Sequence, residues 1–378
     1  MEYRKLRVII SGGGTGGHIF PALSIANKLK ELNPETEILF VGAEGRMEME
    51  KVPAAGYEIV GLPITGLQRR FDLSNFALPF KILKSIRMAR KLLKQFKPDI
   101  AIGVGGYASA PLLWVAGRLG IPTLIQEQNG FAGLTNKIVA KKAKKVCVAY
   151  EGMERFFPAD RIIISGNPIR KEIVPPTPKM KEEGYSFYGL DPQKKHLFIV
   201  GGSLGSGTLN KSVRKWISEG KPGGENLEVI WQCGKYYKKD VDAFMAEMES
   251  KNPGSTKNIW YSDFVQRMDL AYAVADVVVS RSGASSVSEL CAAHKAVIFV
   301  PSPNVAEDHQ THNAMALVRK DAGMIVKDSE APEKLLATAC GLIGEPEKIA
   351  QFEKNIAALA KTDAAMTIAK EVYIAIEK

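Results

Sequence analysis

Cysteine is scarce in this chain: four in 378 residues, and Cys147, Cys233, Cys291 and Cys340 lie far apart with no CxxC or other metal-ligand spacing. That argues against a disulfide framework or a zinc site and suits a reducing cytosol. Long apolar runs are also lacking. The basic start Arg4-Lys5-Leu6-Arg7 leads only into Val8, Ile9 and Ile10 before glycines begin, so no secretory signal is expected. Ile100 to Gly117 is uncharged for long enough to resemble a membrane span, but Gly103, Gly105, Gly106 and Pro111 interrupt it. It reads as strand, loop and helix. No recognised nucleic-acid module or base-stacking motif accompanies the formal charge of +10, so no nucleic-acid partner is expected.

What is present is unevenly distributed. Residues 1–175 carry 26 Lys and Arg against 15 Asp and Glu, net +11, and the remainder is net −1. A basic first half fits an anionic membrane surface or an anionic acceptor better than nucleic acid. With 46% hydrophobic residues the chain is long enough for two α/β domains, each with its own core.

A glycine-rich loop occurs twice. Ser11-Gly12-Gly13-Gly14-Thr15-Gly16-Gly17-His18 follows Leu6–Ile10, and Gly201-Gly202-Ser203-Leu204-Gly205-Ser206-Gly207 follows Leu197–Val200. Strand, tight turn and helix start together aim backbone N–H groups and a helix dipole at an anion. Two half-molecules, each with such a loop, describe an enzyme working on phosphorylated ligands in the cleft between them.

Around the loops, short β-rich runs alternate with helical segments. In the first half the runs are Leu6–Ile10, Ile38–Val41, Ile100–Val104, Pro122–Ile125, Lys145–Ala149 and Ile162–Ser165, with helices such as Pro21–Leu32 and Phe80–Phe96. In the second they are Leu197–Val200, Glu228–Gln232, Asn258–Tyr261, Val277–Ser280, Val297–Val300 and Gly323–Val326. The alternation predicts two Rossmann-like, doubly wound parallel sheets. The expected division is 1–175 as a first domain, 176–190 as a linker opened by the proline cluster Pro175-Pro176-Thr177-Pro178, and 191–350 as a second domain. Residues 351–378 read as a C-terminal helix that stays with the second domain or crosses back to the first.

The first loop satisfies GxGxxG, yet its second strand ends Phe40-Val41-Gly42-Ala43 without the acidic residue a nicotinamide ribose requires. The second loop lacks the GxxxxGK[ST] lysine. His18, at a helix start whose dipole disfavours imidazolium, is either a general base or a turn cap. In Asp276 to Leu290 a buried strand runs into a small-residue turn. Ser285 and Ser286 suit a helix N-terminus that holds a diphosphate, and Glu289 suits a ribose diol or a capping box, two readings that share one geometry and need not compete. Gln310 lies in Glu307-Asp308-His309-Gln310-Thr311-His312-Asn313, beyond a strand end where α/β ligands bind. Sugar recognition suits that string better than metal binding by His309 and His312. Asp240-Val241-Asp242 is a DxD string in a charged helical stretch and reads as a solvated face.

The ordered strings SGGGTGGHIFPALSIA, GVGGYASAP, QEQNGFAGLTNK, SGNPIR, GGSLGSGTLN, DVVVSRSGASSVSEL and PSPNVAEDHQTHNA resemble the MurG family of bacterial glycosyltransferases, over about residues 6–320. The resemblance implies a GT-B fold and an inverting hexosyltransferase in peptidoglycan synthesis. It moves GlcNAc from UDP-GlcNAc to the C4 hydroxyl of undecaprenyl-diphospho-MurNAc-pentapeptide, at the cytoplasmic face of the inner membrane and in company with cell-wall and division proteins. Carried onto this chain, Glu289 holds the ribose, and Ser203 with Ala284, Ser285 and Ser286 the diphosphate; Val287 and Ser288 follow on the same helix. Phe264 and the Val265 backbone hold the uracil, and Arg170 reaches the nucleotide across the cleft. Asn129 and Gln310 touch the donor sugar, and Thr15, Gly16 and Gly17 face a diphosphate.

Two strings depart from the family's pattern. HEQN reads Gln126-Glu127-Gln128-Asn129, which makes Glu127 a rival to His18 as base, and GGSQG reads Gly201-Gly202-Ser203-Leu204-Gly205. A helix dipole with Arg281 nearby replaces a metal in this reading, so no obligatory metal or other cofactor is expected. Leu67 to Phe96 sets Leu73, Phe76, Leu78, Phe80, Ile82 and Leu83 among Arg69, Arg70, Lys81, Lys84, Arg87, Arg90, Lys91 and Lys94. It reads as a membrane-surface patch or as a core helix with a basic face, and the lipid acceptor of the family favours the membrane. The rival functions are a UDP-GlcNAc 2-epimerase, another lipid-directed GT-B glycosyltransferase, and a non-catalytic nucleotide-sugar sensor.

Overall fold

The structure, a computed structural model, describes residues 3–14, 16–65, 78–202 and 204–377. The chain divides into two compact units, residues 1–169 with 362–378, and residues 170–361. Each holds one all-parallel sheet.

In the first unit the strands are β1 (Arg7–Ser11), β2 (Glu37–Ala43), β3 (Glu58–Leu62), β4 (Ile100–Gly103), β5 (Thr123–Glu127), β6 (Lys145–Val148) and β7 (Ile162–Ile164). Helices α1 (Gly16–Leu32), α2 (Glu48–Ala54), α3 (Leu78–Phe96), α4 (Ser109–Arg118) and α5 (Leu134–Val139) lie between them. The sheet order is β3-β2-β1-β4-β5-β6-β7. Val8, Ile9 and Ile10 are fully buried, as befits a strand covered on both faces. Strand β3 is absent from the sequence-based runs, because Glu58-Ile59-Val60-Gly61-Leu62 is an edge strand with one charge and one glycine in five residues.

In the second unit α6 (Pro178–Tyr188) precedes β8 (Lys195–Val200), α7 (Gly207–Ser218), β9 (Leu227–Gln232), α8 (Lys238–Lys251), β10 (Ile259–Ser262), α9 (Met268–Val274) and β11 (Val277–Ser280). Then follow α10 (Ala284–Ala292), β12 (Val297–Phe299), α11 (His309–Val318), β13 (Met324–Ile325), α12 (Ala331–Ile343) and α13 (Pro346–Ala357). The order β10-β9-β8-β11-β12-β13 matches the first six positions of the other sheet.

Two expectations require correction. The segment 176–190, expected as a linker, is largely α6. Thr177 caps its start by accepting from the Met180 N–H, Pro178 occupies the first turn, where its missing N–H costs nothing, and Gly189 ends it in the left-handed region. The continuous helical pattern expected over 351–378 is broken into α13 and α14 (Ala364–Ile376). The break falls where the chain leaves the second unit for the first. There α14 packs on α1, buries Ile368, Ala369 and Val372, and is tied by Tyr373 Oη donating to Arg4 O at 3.1 Å and by Lys145–Glu371 at 3.3 Å.

Strand order fixes where ligands go. In each sheet the order reverses beside the first strand, between β1 and β4 and between β8 and β11, and the crevice at that reversal is where open α/β sheets bind ligands. Register puts Ser11 opposite Gly103, and Val200 opposite Ser280. Each glycine loop therefore emerges level with the turn that follows the neighbouring strand.

Candidate active site

In the second unit a cavity of about 400 Å³ opens at the reversal, lined by Gly202, Gly207, Thr208, Arg281, Ser286 and Gln310 among others. Two helices begin on it. At α7, Ser206 is the N-cap and accepts from Leu209 N–H at 3.3 Å. At α10 the N-cap is Gly283, without a side-chain cap, so the N–H groups of Ala284, Ser285 and Ser286 have no partner within the helix. The Oγ atoms of Ser282 and Ser285 are buried without a hydrogen-bond partner. Helix starts with unspent donors are an anion site. Gly205 permits the loop's close approach: φ is +80° and a Cβ there would collide with Cys233 O and with Gly234.

Not every expected contact fits. Val287 has its side chain in the core and its N–H bonded to Gly283 O at 3.0 Å, so it offers a ligand neither. Ser288 is half-buried further along the same helix. Ser203 and Thr15 lie outside the described residues. Arg281 is engaged, with Nη1 on Asp328 Oδ1 at 2.5 Å and on Val300 O at 2.9 Å, and Nη2 on Ser206 Oγ at 2.6 Å. It borders the cavity as a fixed charge. Of the DxD string, Asp242 pairs with Lys238 at 2.5 Å and accepts from Tyr261 Oη at 3.0 Å.

Arg170 was expected to reach over from the first domain. It belongs to the second unit, and its guanidinium grips Glu289 from the side, Nε to Oε1 at 2.9 Å and Nη2 to Oε2 at 3.0 Å. Burial pushes the Glu289 carboxyl above its ordinary value, against the pull of Arg170 and of Tyr272 Oη at 3.4 Å. A carboxylate has about four acceptor positions, so Glu289 retains capacity for a diol beside the Arg170 fork.

Phe264 is exposed and Val265 buried, in the loop after β10. A residue that sequence reasoning passed over holds that loop: Gln232, the last of β9, donates to both Gly202 O and Asp263 O at 2.9 and 3.0 Å and accepts from Gly201 N–H at 3.0 Å. Its signal is a polar residue closing an apolar strand, Leu-Glu-Val-Ile-Trp-Gln. Gln310, just after two successive residues in the left-handed region, Glu307 and Asp308, accepts from Ser302 N–H at 2.9 Å.

In the first unit, α1 begins at Gly16, which places Gly16, Gly17 and His18 on its first turn. The His18 ring lies against Gly105, where φ is +98° and an added Cβ would stand 2.8 Å from Nε2. Its Nδ1 meets Gly13 O at 2.9 Å. A carbonyl only accepts, so Nδ1 carries the proton and the lone pair of the neutral ring lies on Nε2. The loop itself differs from a phosphate loop. Glu48, completely buried, accepts from Gly14 N–H at 2.9 Å and from Ala43 N–H at 3.0 Å. A carboxylate beneath Gly13 and Gly14 takes one of the donors an anion would need and opposes its charge, which leaves the helix start at Gly16 and Gly17 as the anion-facing part.

Glu127 closes β5 and is buried. Its Oε1 accepts from Asn129 N–H at 3.0 Å and from Asn129 Nδ2 at 3.3 Å, and its Oε2 accepts from Gly133 N–H at 3.0 Å and from Asn136 Nδ2 at 2.9 Å. Both oxygens are committed to the loop that carries Asn129. Position 126, where the family's histidine is missing, lies inside a chain of buried amides: Gln126 Nε2 donates to Asn167 Oδ1 at 2.8 Å, Gln128 Nε2 donates to Gln126 Oε1 and to Val104 O, and Asn167 Nδ2 donates to Gln128 O at 3.0 Å.

Two Rossmann-type units in this strand order, each with a helix start and glycine loop at the reversal, have the GT-B fold, and the families they match set the class as a glycosyltransferase. Residues 8–148 match the glycosyltransferase family 28 N-terminal domain, and residues 196–371 the family's C-terminal domain. The chain belongs to glycosyltransferase family 28 and, within it, to the MurG family. It is 52% identical over 375 residues to a protein of Parabacteroides distasonis, covering 99% of this chain and all of the relative, and 54% identical over 369 residues to one of Phocaeicola vulgatus, covering 98% and 96%. Both are named UDP-N-acetylglucosamine–N-acetylmuramyl-(pentapeptide) pyrophosphoryl-undecaprenol N-acetylglucosamine transferase. The crystal structure of Acinetobacter baumannii MurG aligns with a TM-score of 0.77 at 28% identity, over 98% of this chain and all of that one. A UDP-N-acetylglucosamine 2-epimerase aligns at 0.64 with 14% identity, which shows a shared fold alone.

Proposed function

We infer that this chain transfers GlcNAc from UDP-GlcNAc to the C4 hydroxyl of undecaprenyl-diphospho-MurNAc-pentapeptide in peptidoglycan synthesis. The observation that carries this is sequence identity above one half along the whole chain to transferases of that name. The convergence of α7 and α10 on one cavity supports a diphosphate there. The reaction inverts: the acceptor oxygen bonds to C1 of GlcNAc, the bond from C1 to the diphosphate breaks with its electron pair leaving on UDP, and the hydroxyl proton goes to a base.

In the second unit, Ala284, Ser285 and Ser286 receive the diphosphate through their N–H groups, Glu289 binds the ribose beside Arg170, and Phe264 with the Val265 backbone takes the uracil. Asn129 and Gln310 address the donor sugar. His18 is the base through Nε2, and Gly16 and Gly17 face a diphosphate. Glu127 takes the role of positioning Asn129 in this reading, because its oxygens accept from the Asn129 and Gly133 N–H groups and from the Asn136 amide of α5. The donors of two helix starts stabilise the departing UDP without an obligatory metal.

Among the described residues no helix is long and apolar enough to cross a membrane. On α3, Phe80, Ile82 and Leu83 are exposed beside Lys84, Arg87 and Arg90, and Trp114 of the adjoining α4 is exposed with Arg118 stacked on it at 3.7 Å. That combination supports peripheral binding at the cytoplasmic face of the inner membrane, where division proteins would meet it. Leu67, Arg69, Arg70, Leu73 and Phe76 of the same patch lie outside the described residues.

Transfer of labelled GlcNAc into a short-chain analogue of the lipid acceptor, beside a control without acceptor, tests the reading. Acceptor-dependent label in lipid supports it; epimerisation or UDP release without acceptor assigns the protein to the isomerases or to another activity.

A further inference from the structure

Glu48 stands outside every motif that drew attention in the sequence, yet it is a fully buried carboxylate beside the candidate base. Burying a charge in contact with backbone alone is costly and needs a structural reason. Its seat is built for it. Gly13 and Gly42 line that seat, where a Cβ on either would run into the Glu48 side chain, at 2.5 Å from Cγ in the case of Gly42. Gly106 closes the other side, since its Cβ would stand 2.5 Å from Gly13 O.

The decisive geometry concerns a single peptide group. The Gly14 N–H and the Gly13 carbonyl belong to the same planar amide, conjugated through its C–N bond. Glu48 Oε2 accepts from that N–H at 2.9 Å, and His18 Nδ1 donates to that carbonyl oxygen at 2.9 Å. A negative charge on the N–H edge of an amide pushes electron density towards the oxygen and strengthens it as an acceptor, as hydrogen bonds in a chain polarise one another. We propose that Glu48 is a positioning residue for the transfer, acting on His18 through the Gly13–Gly14 peptide. It holds the ring as the Nδ1–H tautomer, with Nε2 towards the acceptor hydroxyl, and stabilises the imidazolium formed when Nε2 takes the proton. The role is that of the orienting acid in a Ser-His-Asp triad, with one amide interposed.

Other titratable groups on the surrounding segments are Glu44, Arg46 and Glu50 around the start of α2, Tyr57 and Glu58 before and in β3, and Tyr107 after β4. Glu44, Arg46, Glu50, Glu58 and Tyr107 are exposed and Tyr57 is half-buried, so solvent screens them where it does not screen Glu48. The inference rests on His18 being the base, and the test separates the two claims.

The full-length protein labelled with nitrogen-15 at histidine, with His18→Gln to identify the signals, reports the His18 tautomer and titration directly. In Glu48→Gln the Nδ1–H tautomer is expected to lose population and His18 to titrate at lower pH. Turnover is expected to fall on the order of 10- to 100-fold, with KM for UDP-GlcNAc little changed, as befits loss of base orientation rather than donor binding. Glu50→Gln, on the exposed face of the same helix, is expected to leave both readouts unchanged. An unaltered His18 tautomer and titration in folded Glu48→Gln overturns the proposal whatever the activity does. If Glu48→Gln does not fold, the Gly14 amide of the unaltered protein decides: a downfield, exchange-protected proton that moves as His18 titrates supports the coupling, and an unprotected or unresponsive one overturns it. Full activity in His18→Ala would sink the base assignment instead, independently of the ring measurement.

Discussion

Arg170 and Glu289 form a two-point pair, Nε to Oε1 and Nη2 to Oε2, between the first residue of the second unit and a helix 119 positions further on. Two parallel bonds fix the plane of the carboxylate as well as its place, so the group proposed to accept the ribose is held in one orientation.

Glu289→Gln keeps the shape and removes the charge. Loss of charge-assisted bonds of about 1.5–3 kcal/mol predicts UDP affinity lower by roughly 10- to 100-fold in calorimetry. Stability should respond to pH with a definite sign. Because burial raises the Glu289 carboxyl above 4.5, the folded state holds that proton more tightly than the unfolded chain. Its contribution is complete below 4.5 and is lost as pH rises through the folded value. Urea unfolding of the unaltered protein relative to Glu289→Gln should therefore shift in favour of the unaltered protein on acidification from neutrality towards 4.5.

His18 and Glu127 should separate by what they damage. His18→Ala is expected to lower kcat by about 10²- to 10⁴-fold with the melting temperature nearly unchanged, the range for one positioned base. Glu127→Ala leaves the Gly133 and Asn129 N–H groups and the Asn136 amide without their acceptor. It should cost roughly 3 kcal/mol of stability, seen in denaturant unfolding, and lose activity through the Asn129 loop.

Phe80→Ser with Leu83→Ser should reduce binding to anionic vesicles by roughly 10- to 100-fold, from the apolar area withdrawn from the interface. Turnover of a water-soluble acceptor analogue should be spared. Unchanged vesicle binding would return α3 to the reading of a core helix with a solvated basic face.

Transfer should persist in excess chelator, because the α7 and α10 helix starts supply the positive potential at the cavity. Activity lost to chelator and restored by Mg²⁺ would contradict this.

Much of the site was legible in the sequence. Gly12 to His18 and Gly201 to Gly207 announced strand, turn and helix start, and the small residues Gly283 to Ser286 announced a second start on the same cavity, because helix initiation is local chemistry. Glu48 carried no comparable signal, and for Gln126, Gln128, Asn167 and Gln232 the sequence showed the polar residues without their partners. Each acts on a group that is remote along the chain, 34 positions in the case of Glu48 and Gly14 and 41 in that of Gln126 and Asn167.

The sequence by itself determined the two parallel sheets, since buried strands need apolar runs and crossover helices need periodic ones. It also determined the placing of glycines where only glycine fits. Tertiary structure alone decided that α14 returns to the first unit, that Arg170 grips Glu289 from its own side, and that the first glycine loop rests on a carboxylate. These depend on which distant groups are brought within about 3 Å, and hydrogen bonds act only over that range, whatever the separation along the chain.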